Sequence, residues 1–217
     1  MATSAFKIRE ACKADIPALI QISINANRGR PLINALFPPH LKAGPGDPEE
    51  SFFQESWYET GLQRENQHYP VVVNDKDEVL GYACWQSAPG PLEPEKTREE
   101  RKAECPPTMD FDVWEFLRNA IKALQEHVKA VLGEDEFKRA WYLDVLAVDP
   151  AHQRKGIARM LMQWGEERAA REHKSIHLVS SPTGAKLYRA LGYEQVGEMD
   201  LVGQPEAVFI KRPAQES

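Results

Sequence analysis

Phe6, Lys7, Ile8 and Arg9 alternate apolar and polar side chains, the period of a half-buried strand. Behind Asp15, residues Ile16, Leu19, Ile20, Ser23 and Ile24 recur at helical spacing, which predicts an amphipathic helix with an acidic N-cap. Residues 28–48 carry Gly29 and prolines at 31, 38, 39, 45 and 48, and predict a loop with one short helical turn over 32–37. A second helix is expected over 48–60, with Phe52, Phe53 and Trp57 on its inner face. The apolar runs 69–73 and 79–85 flank Asn74-Asp75-Lys76-Asp77 and predict a hairpin about a charged turn. From Asp110 onward, Val113, Phe116, Leu117, Ala120, Ile121, Leu124, Val128 and Val131 keep the rhythm of one long helix, with Gly133 as its stop.

The second half is more sharply punctuated. An apolar, β-rich run over 141–148 ends at Asp149-Pro150. A helix is expected over 156–173, with Ile157, Met160, Leu161 and Trp164 inward, then a short strand over 175–180. Ser181-Pro182 predicts the opening of a helix of roughly ten residues, Ser181 as cap and Pro182 at its first position, ending at Leu191-Gly192. Two more strands are expected over 193–199 and 207–211. Helices and strands interleave, so the fold class is α/β or α+β about a mixed sheet.

Length adds one constraint. The chain has 217 residues, against a prior of ~150 for one domain. Residues 88–107 hold five prolines and nine charged residues with almost no large apolar side chains, and predict an exposed, partly flexible insertion. The expectation is therefore a single domain over 1–217, its surplus length in the 28–48 loop and this insertion.

Composition narrows the class further. Hydrophobic residues make up 42% and charged residues 28%, as in ordinary globular proteins. No apolar run approaches the ~18 residues of a membrane span, so no membrane partner is expected. A net charge of −6 argues against a nucleic-acid partner. The first residues lack the pattern of a secretory signal, and Cys12, Cys84 and Cys105 form no Cys-x-x-Cys pair. They read as reduced thiols, and the expected location is cytoplasmic. His173 and His177 straddle a helix end and a strand, so no metal is expected there.

The segment with chemical content is Leu146-Ala147-Val148-Asp149-Pro150-Ala151-His152-Gln153-Arg154-Lys155-Gly156-Ile157-Ala158. A buried strand ends, a basic loop crosses over, and a helix begins at small residues. The first amides of such a helix have no internal partner and lie at its positive dipole end. Gly156 and Ala158 leave room for a phosphate to approach the main chain. The glycine spacing of the Rossmann fingerprint and of the P-loop is absent.

In this context the segment resembles the GCN5-related N-acetyltransferase (GNAT) superfamily. The family's pyrophosphate loop, Gln/Arg-x-x-Gly-x-Gly/Ala, is matched by Gln153-Arg154-Lys155-Gly156-Ile157-Ala158. Its later signature is matched by Leu187-Tyr188-Arg189-Ala190-Leu191-Gly192-Tyr193. The close match spans residues 141–197; the first half agrees in element order alone.

The resemblance implies a mixed, mostly antiparallel sheet of about six to seven strands flanked by helices. Two parallel strands, 141–148 and 176–180, should splay apart. It implies acetyl-CoA as co-substrate, with no metal, and direct transfer to an amine. The amides of residues 154–158 should hold the pyrophosphate, while Leu146, Ala147 and Val148 flank the pantetheine arm. Val148, or a neighbour, should supply the oxyanion donor.

Tyr188 stands where the family places its general acid. The base falls at Tyr142 or Asp144, and Asp144 is assigned as base or as anchor of a water relay. Strand parity puts Tyr142, Asp144, Leu146 and Val148 on one face. Ser181 replaces a frequent Asn and is a further cofactor contact. His152 reads as a solvated loop histidine. Arg28 and Arg30 fall where relatives place acceptor-binding residues, yet read as surface arginines; Trp57, Trp85 and Trp114 read as core. The expected acceptor is a small-molecule primary amine and the expected state a monomer or homodimer. A protein lysine or N-terminal acetyltransferase, and a catalytically silent acyl-CoA binder, are the competing readings.

Overall fold

The computed structural model describes residues 6–42, 44, 48–87 and 96–214, with the side chains of 48–53 excepted. The expected burial of Phe52 and Phe53 lies outside the described side chains. Strand β1 (Lys7–Glu10) leads through a 3₁₀ turn into α1 (Ile16–Asn27), α2 (Pro31–Leu36) and α3 (Pro48–Gly61). Strands β2 (Gln67–His68), β3 (Pro70–Val73) and β4 (Val79–Gln86) follow, then α4 (Arg98–Glu104), α5 (Phe111–Leu132) and α6 (Glu134–Phe137). The second half runs β5 (Trp141–Val148), α7 (Ile157–Arg171), β6 (Ile176–Ser180), α8 (Ala185–Ala190), β7 (Glu194–Leu201) and β8 (Gln204–Lys211).

The strands form one eight-stranded sheet in the order β1-β3-β4-β5-β6-β8-β7, with β2 beside β4. This exceeds the expected strand number because β2 is a two-residue extension. Every pair is antiparallel except β5 and β6, joined by the crossover helix α7. Central β5 is apolar nearly throughout because helices cover both faces. On one face Leu143, Val148, Leu161, Trp164, Leu178 and Phe209 pack in the core under α7 and α8. The opposite face carries Val71, Tyr82, Cys84 and Ala147 under α1 and α3, then Val208 and Ile210 under α5. Each fully buried large side chain contributes roughly 1.5–3 kcal/mol.

Three local expectations are corrected. Asp15 makes no cap bond to α1; it ends the preceding 3₁₀ turn and accepts from the Cys12 amide at 2.8 Å and from Arg9 at 2.8 Å. Helix α8 spans six residues, because Ser181–Gly184 closes a separate turn first: the amides of Gly184 and Ala185 both reach the Ser181 carbonyl, at 3.0 and 3.1 Å. The described part of the 88–107 insertion is exposed but ordered into α4. Thr97 and Glu100 form its capping box, and Arg98 and Arg101 pair with Asp112 and Glu115 on α5. Trp85, as expected, belongs to the core: its indole donates to the Leu161 carbonyl at 3.3 Å, and a methyl on Gly165 would lie 2.3 Å from its ring.

Candidate active site

Asp144 sits on a β-bulge. Cys84 on β4 pairs with Val145, while the next residue, Trp85, pairs with Leu143, so Asp144 has no partner across the strand. An extra residue reverses the alternation beyond it. Leu143, Leu146 and Val148 therefore pack on the α7 face, and Val145 and Ala147 on the α1 face. The parity expected from the sequence fails at this point: Leu146 and Val148 do not share a face with Tyr142 and Asp144.

Asp144 is accessible to water, yet protein surrounds it closely enough for desolvation to raise its carboxyl to about 6. Hydrogen bonds from Gln86 and Tyr142 favour the anion and oppose that rise. Its side chain is thus reached by water while closely surrounded by protein. Around it lie the phenols of Tyr58, Tyr69 and Tyr142 and the thiol of Cys84, each raised chiefly by burial and further by the Asp144 charge. Behind these, Tyr58 and Tyr82 share a short hydroxyl–hydroxyl hydrogen bond, and Ser23 bonds both.

Strands β5 and β6 pair at Trp141–Ile176, Tyr142–His177 and Leu143–Leu178, and no further. Past Leu143 they separate, as the expected splay requires. The Asp149 amide donates to Leu80 at 3.0 Å, so antiparallel alternation turns the amides of Leu146 and Val148 to the other edge, into the gap. Gln153 Nε2 reaches the Val148 carbonyl from the same side at 3.3 Å.

The loop after β5 is built to present amides. Asp149 accepts from the Ala151 amide at 2.8 Å and closes the first turn. Arg154 and Gly156 then adopt positive φ, 63° and 88°. The amides of residues 153–158 bond to none of the described residues, a concave row suited to an anion. A Cβ at Gly156 would meet nothing within 4 Å, so the approach is open. Ile157 is buried and anchors the start of α7, whereas Gln153, Arg154, Lys155 and Gly156 are exposed and Ala158 is partly so. Lys155 folds back on the Ala151 carbonyl and on His152 Nδ1, both at 3.2 Å.

Tyr188 is 6% exposed on the α7 face, its ring 5.8 Å from those of Tyr193 and Phe209. Burial alone raises its phenol well above the ordinary value, so it stays protonated. It is nevertheless near enough to Tyr142 to disfavour ionisation there, which links the two faces through the gap. Ser181 Oγ contacts Thr183 Oγ1 at 3.0 Å and the Gly184 amide at 3.4 Å.

Three relationships around these residues were not expected from the sequence. Gln86 supports Asp144 from β4, His177 stacks on Tyr142, and Arg30, expected at the surface, donates to buried Glu206. The one signal available was an acidic residue inside an apolar strand, which marked Asp144 but not its neighbours. Among the described residues no helix is long and apolar enough to cross a membrane, and no three His, Cys, Asp or Glu side chains are grouped to share a metal ion.

Residues 120–195 match the family model described as the acetyltransferase (GNAT) domain. Among solved structures, the chain is similar to histone acetyltransferase HPA2 and related acetyltransferase from Corynebacterium glutamicum (17% identity, TM-score 0.61, 99% of each chain covered). It is similar to mosquito arylalkylamine N-acetyltransferase like 5b (17%, 0.60, 96% of this chain and 100% of that chain). A third is yncA from Salmonella typhimurium, solved with its cofactor acetyl-CoA (18%, 0.57, 99% of this chain and 97% of that chain). No curated protein sequence matches the chain. At these identities the solved structures establish the fold, while the family model covers both sequence motifs. Residues 120–195 are thus similar to the GNAT acetyltransferase domain, within a fold shared with the solved acetyltransferases.

Proposed function

We propose that the protein transfers the acetyl group of acetyl-CoA directly to a primary amine of a small molecule. The observation that carries this reading is Asp144, a water-accessible carboxyl poised at about 6 beside the gap between β5 and β6. At neutral pH it is largely ionised and takes the proton of the incoming ammonium, directly or through a water it holds. The free amine attacks the thioester carbon, and the amide of Val148, turned into the gap, donates to the tetrahedral oxyanion. Collapse breaks the C–S bond, and the Tyr188 hydroxyl protonates the departing thiolate. The amides of residues 153–158 hold the pyrophosphate, Arg154 adds charge, and Leu146, Ala147 and Val148 flank the pantetheine arm, with Ser181 beside it.

Acceptor size is argued from the surroundings of the site. The segment after α1 is tied to β8 by Arg30 and Glu206. It is tied to the approach of α5 by the Asp110 amide on the Leu36 carbonyl at 2.8 Å. Leu36, Phe37 and Met109 share a small core with Val113 and Trp114. Two such ties hold the segment after α1 in place, which supports a bounded acceptor site over the open groove that an extended peptide needs. The named neighbours include both a histone and an arylalkylamine acetyltransferase, so the fold does not choose between acceptors. CoA release should be measured over a panel of small amines and lysine peptides. Turnover of small amines that is lost in Asp144→Asn supports the reading. Turnover of peptides alone, or acetyl-CoA binding without turnover, overturns it.

A further inference from the structure

His177, Tyr142 and Gln86 stand at one level on three adjacent strands: Tyr142 pairs with His177 on β6 and with Gln86 on β4. Two of the three, Gln86 and Tyr142, hydrogen-bond Asp144. The third does not: His177 is 5% exposed, and its buried Nδ1 has no hydrogen-bond partner among the described residues. An unsatisfied buried nitrogen is costly, and a hydrocarbon side chain would fill the place without that cost. What the imidazole contributes is its flat face. It lies against the Tyr142 ring with centroids 4.8 Å apart and planes 26° from parallel, and Phe137 backs it at 5.4 Å.

The position of this stack matters because the strands separate one residue later. Beyond the Leu143–Leu178 pair β6 no longer pairs with β5, so Tyr142 lies one residue from the end of the paired segment and its ring is held mainly by what stacks on it. We infer that His177 is a positioning residue, which holds the Tyr142 ring so that its hydroxyl stays on the Asp144 carboxylate. The inference rests on the reading of Asp144 as the base. Burial keeps the imidazole neutral, its pKa lowered to about 4, so the ring packs against the phenol without bringing a charge beside Asp144.

The test is a double-mutant cycle on the full-length protein, with kcat and KM measured for acetyl-CoA and for a small amine that is turned over. His177→Leu keeps the bulk but loses the flat face, and should lower kcat about tenfold with KM for acetyl-CoA unchanged. His177→Phe should recover kcat to within about twofold. In a Tyr142→Phe background, His177→Leu should have no further effect. Wild-type kcat in His177→Leu, or the same loss with and without the Tyr142 hydroxyl, overturns the inference. If His177→Leu does not fold, His177→Asn, which is smaller and polar, takes its place with the same expectations. Asp144→Asn separates the two levels. If it retains kcat, the base reading fails; if it abolishes kcat while His177→Leu does not, the positioning role alone fails.

Discussion

Arg30 donates from its guanidinium to Glu206 Oε1 at 2.5 Å, joining residues 176 apart in the chain. The Glu206 side chain is 5% exposed and that of Arg30 29%, so the carboxylate depends on this partner while the guanidinium retains some water. Burial nonetheless leaves the Glu206 carboxyl raised above its ordinary value. Ionising it is therefore a net expense to the folded state, and the pair serves to fix position more than to add stability. Glu206→Gln, which keeps an acceptor for Arg30, should melt close to wild type at neutral pH. Glu206→Ala should lose about 2 kcal/mol, less than the ~3–5 kcal/mol of a fully buried pair because Arg30 can rehydrate. Thermal unfolding of the two variants checks the contrast.

Asp144 should show opposite signs in activity and stability. Its folded-state pKa, about 6, lies above the ordinary 3.8. The penalty on the charged form is therefore full above about pH 6, fades as pH falls from 6 towards 3.8, and is gone below the unfolded value. Asp144→Asn should melt higher than wild type at pH 8, by about 1 kcal/mol after allowance for the water that reaches the site. At pH 4 and below the two should converge. The same variant should lose at least ~10²-fold in kcat/KM, and the acid limb near 6 in the wild-type pH–rate profile should vanish.

Tyr188→Phe removes the hydroxyl of a buried ring whose pKa is raised by desolvation, with no hydrogen bond to the described residues to lose. Stability should therefore change little, whereas kcat should fall by roughly 10²-fold if the phenol protonates the thiolate. KM for acetyl-CoA should hold. Stopped-flow detection of the free thiol distinguishes slow release from slow binding.

Two glycines of the same strand–helix unit should fail in different ways. At Gly156, φ is +88° and a Cβ would meet nothing within 4 Å. Gly156→Ala should cost about 1 kcal/mol of backbone strain and raise KM for acetyl-CoA, because the methyl enters the approach to the loop amides. At Gly165 a Cβ would fall 2.3 Å from the Trp85 ring. Gly165→Ala should cost roughly 1–3 kcal/mol from overpacking and leave that KM unchanged. Calorimetry and initial rates on both proteins test the distinction.

Much of this molecule could be read without coordinates because it is written in contiguous segments. Strand β5 occupies the expected span Trp141–Val148, and Asp110 and Gly133 bound α5 as capping chemistry requires. The anion-binding role proposed for the loop from Gln153 to Ala158 rests on local features: a small residue at positive φ, first-turn amides that bond to none of the described residues, and adjacent basic side chains. Such features depend on neighbours a few bonds away, so they survive in one dimension. The bulge at Asp144 does not, since an extra residue exists only relative to the strand it fails to pair with. Tertiary structure alone decided which face Leu146 and Val148 take, that Arg30 meets Glu206, and that His177 lies on Tyr142. The pKa of Asp144 belongs with these, because desolvation is set by whatever the fold packs around a group, from any distance along the chain.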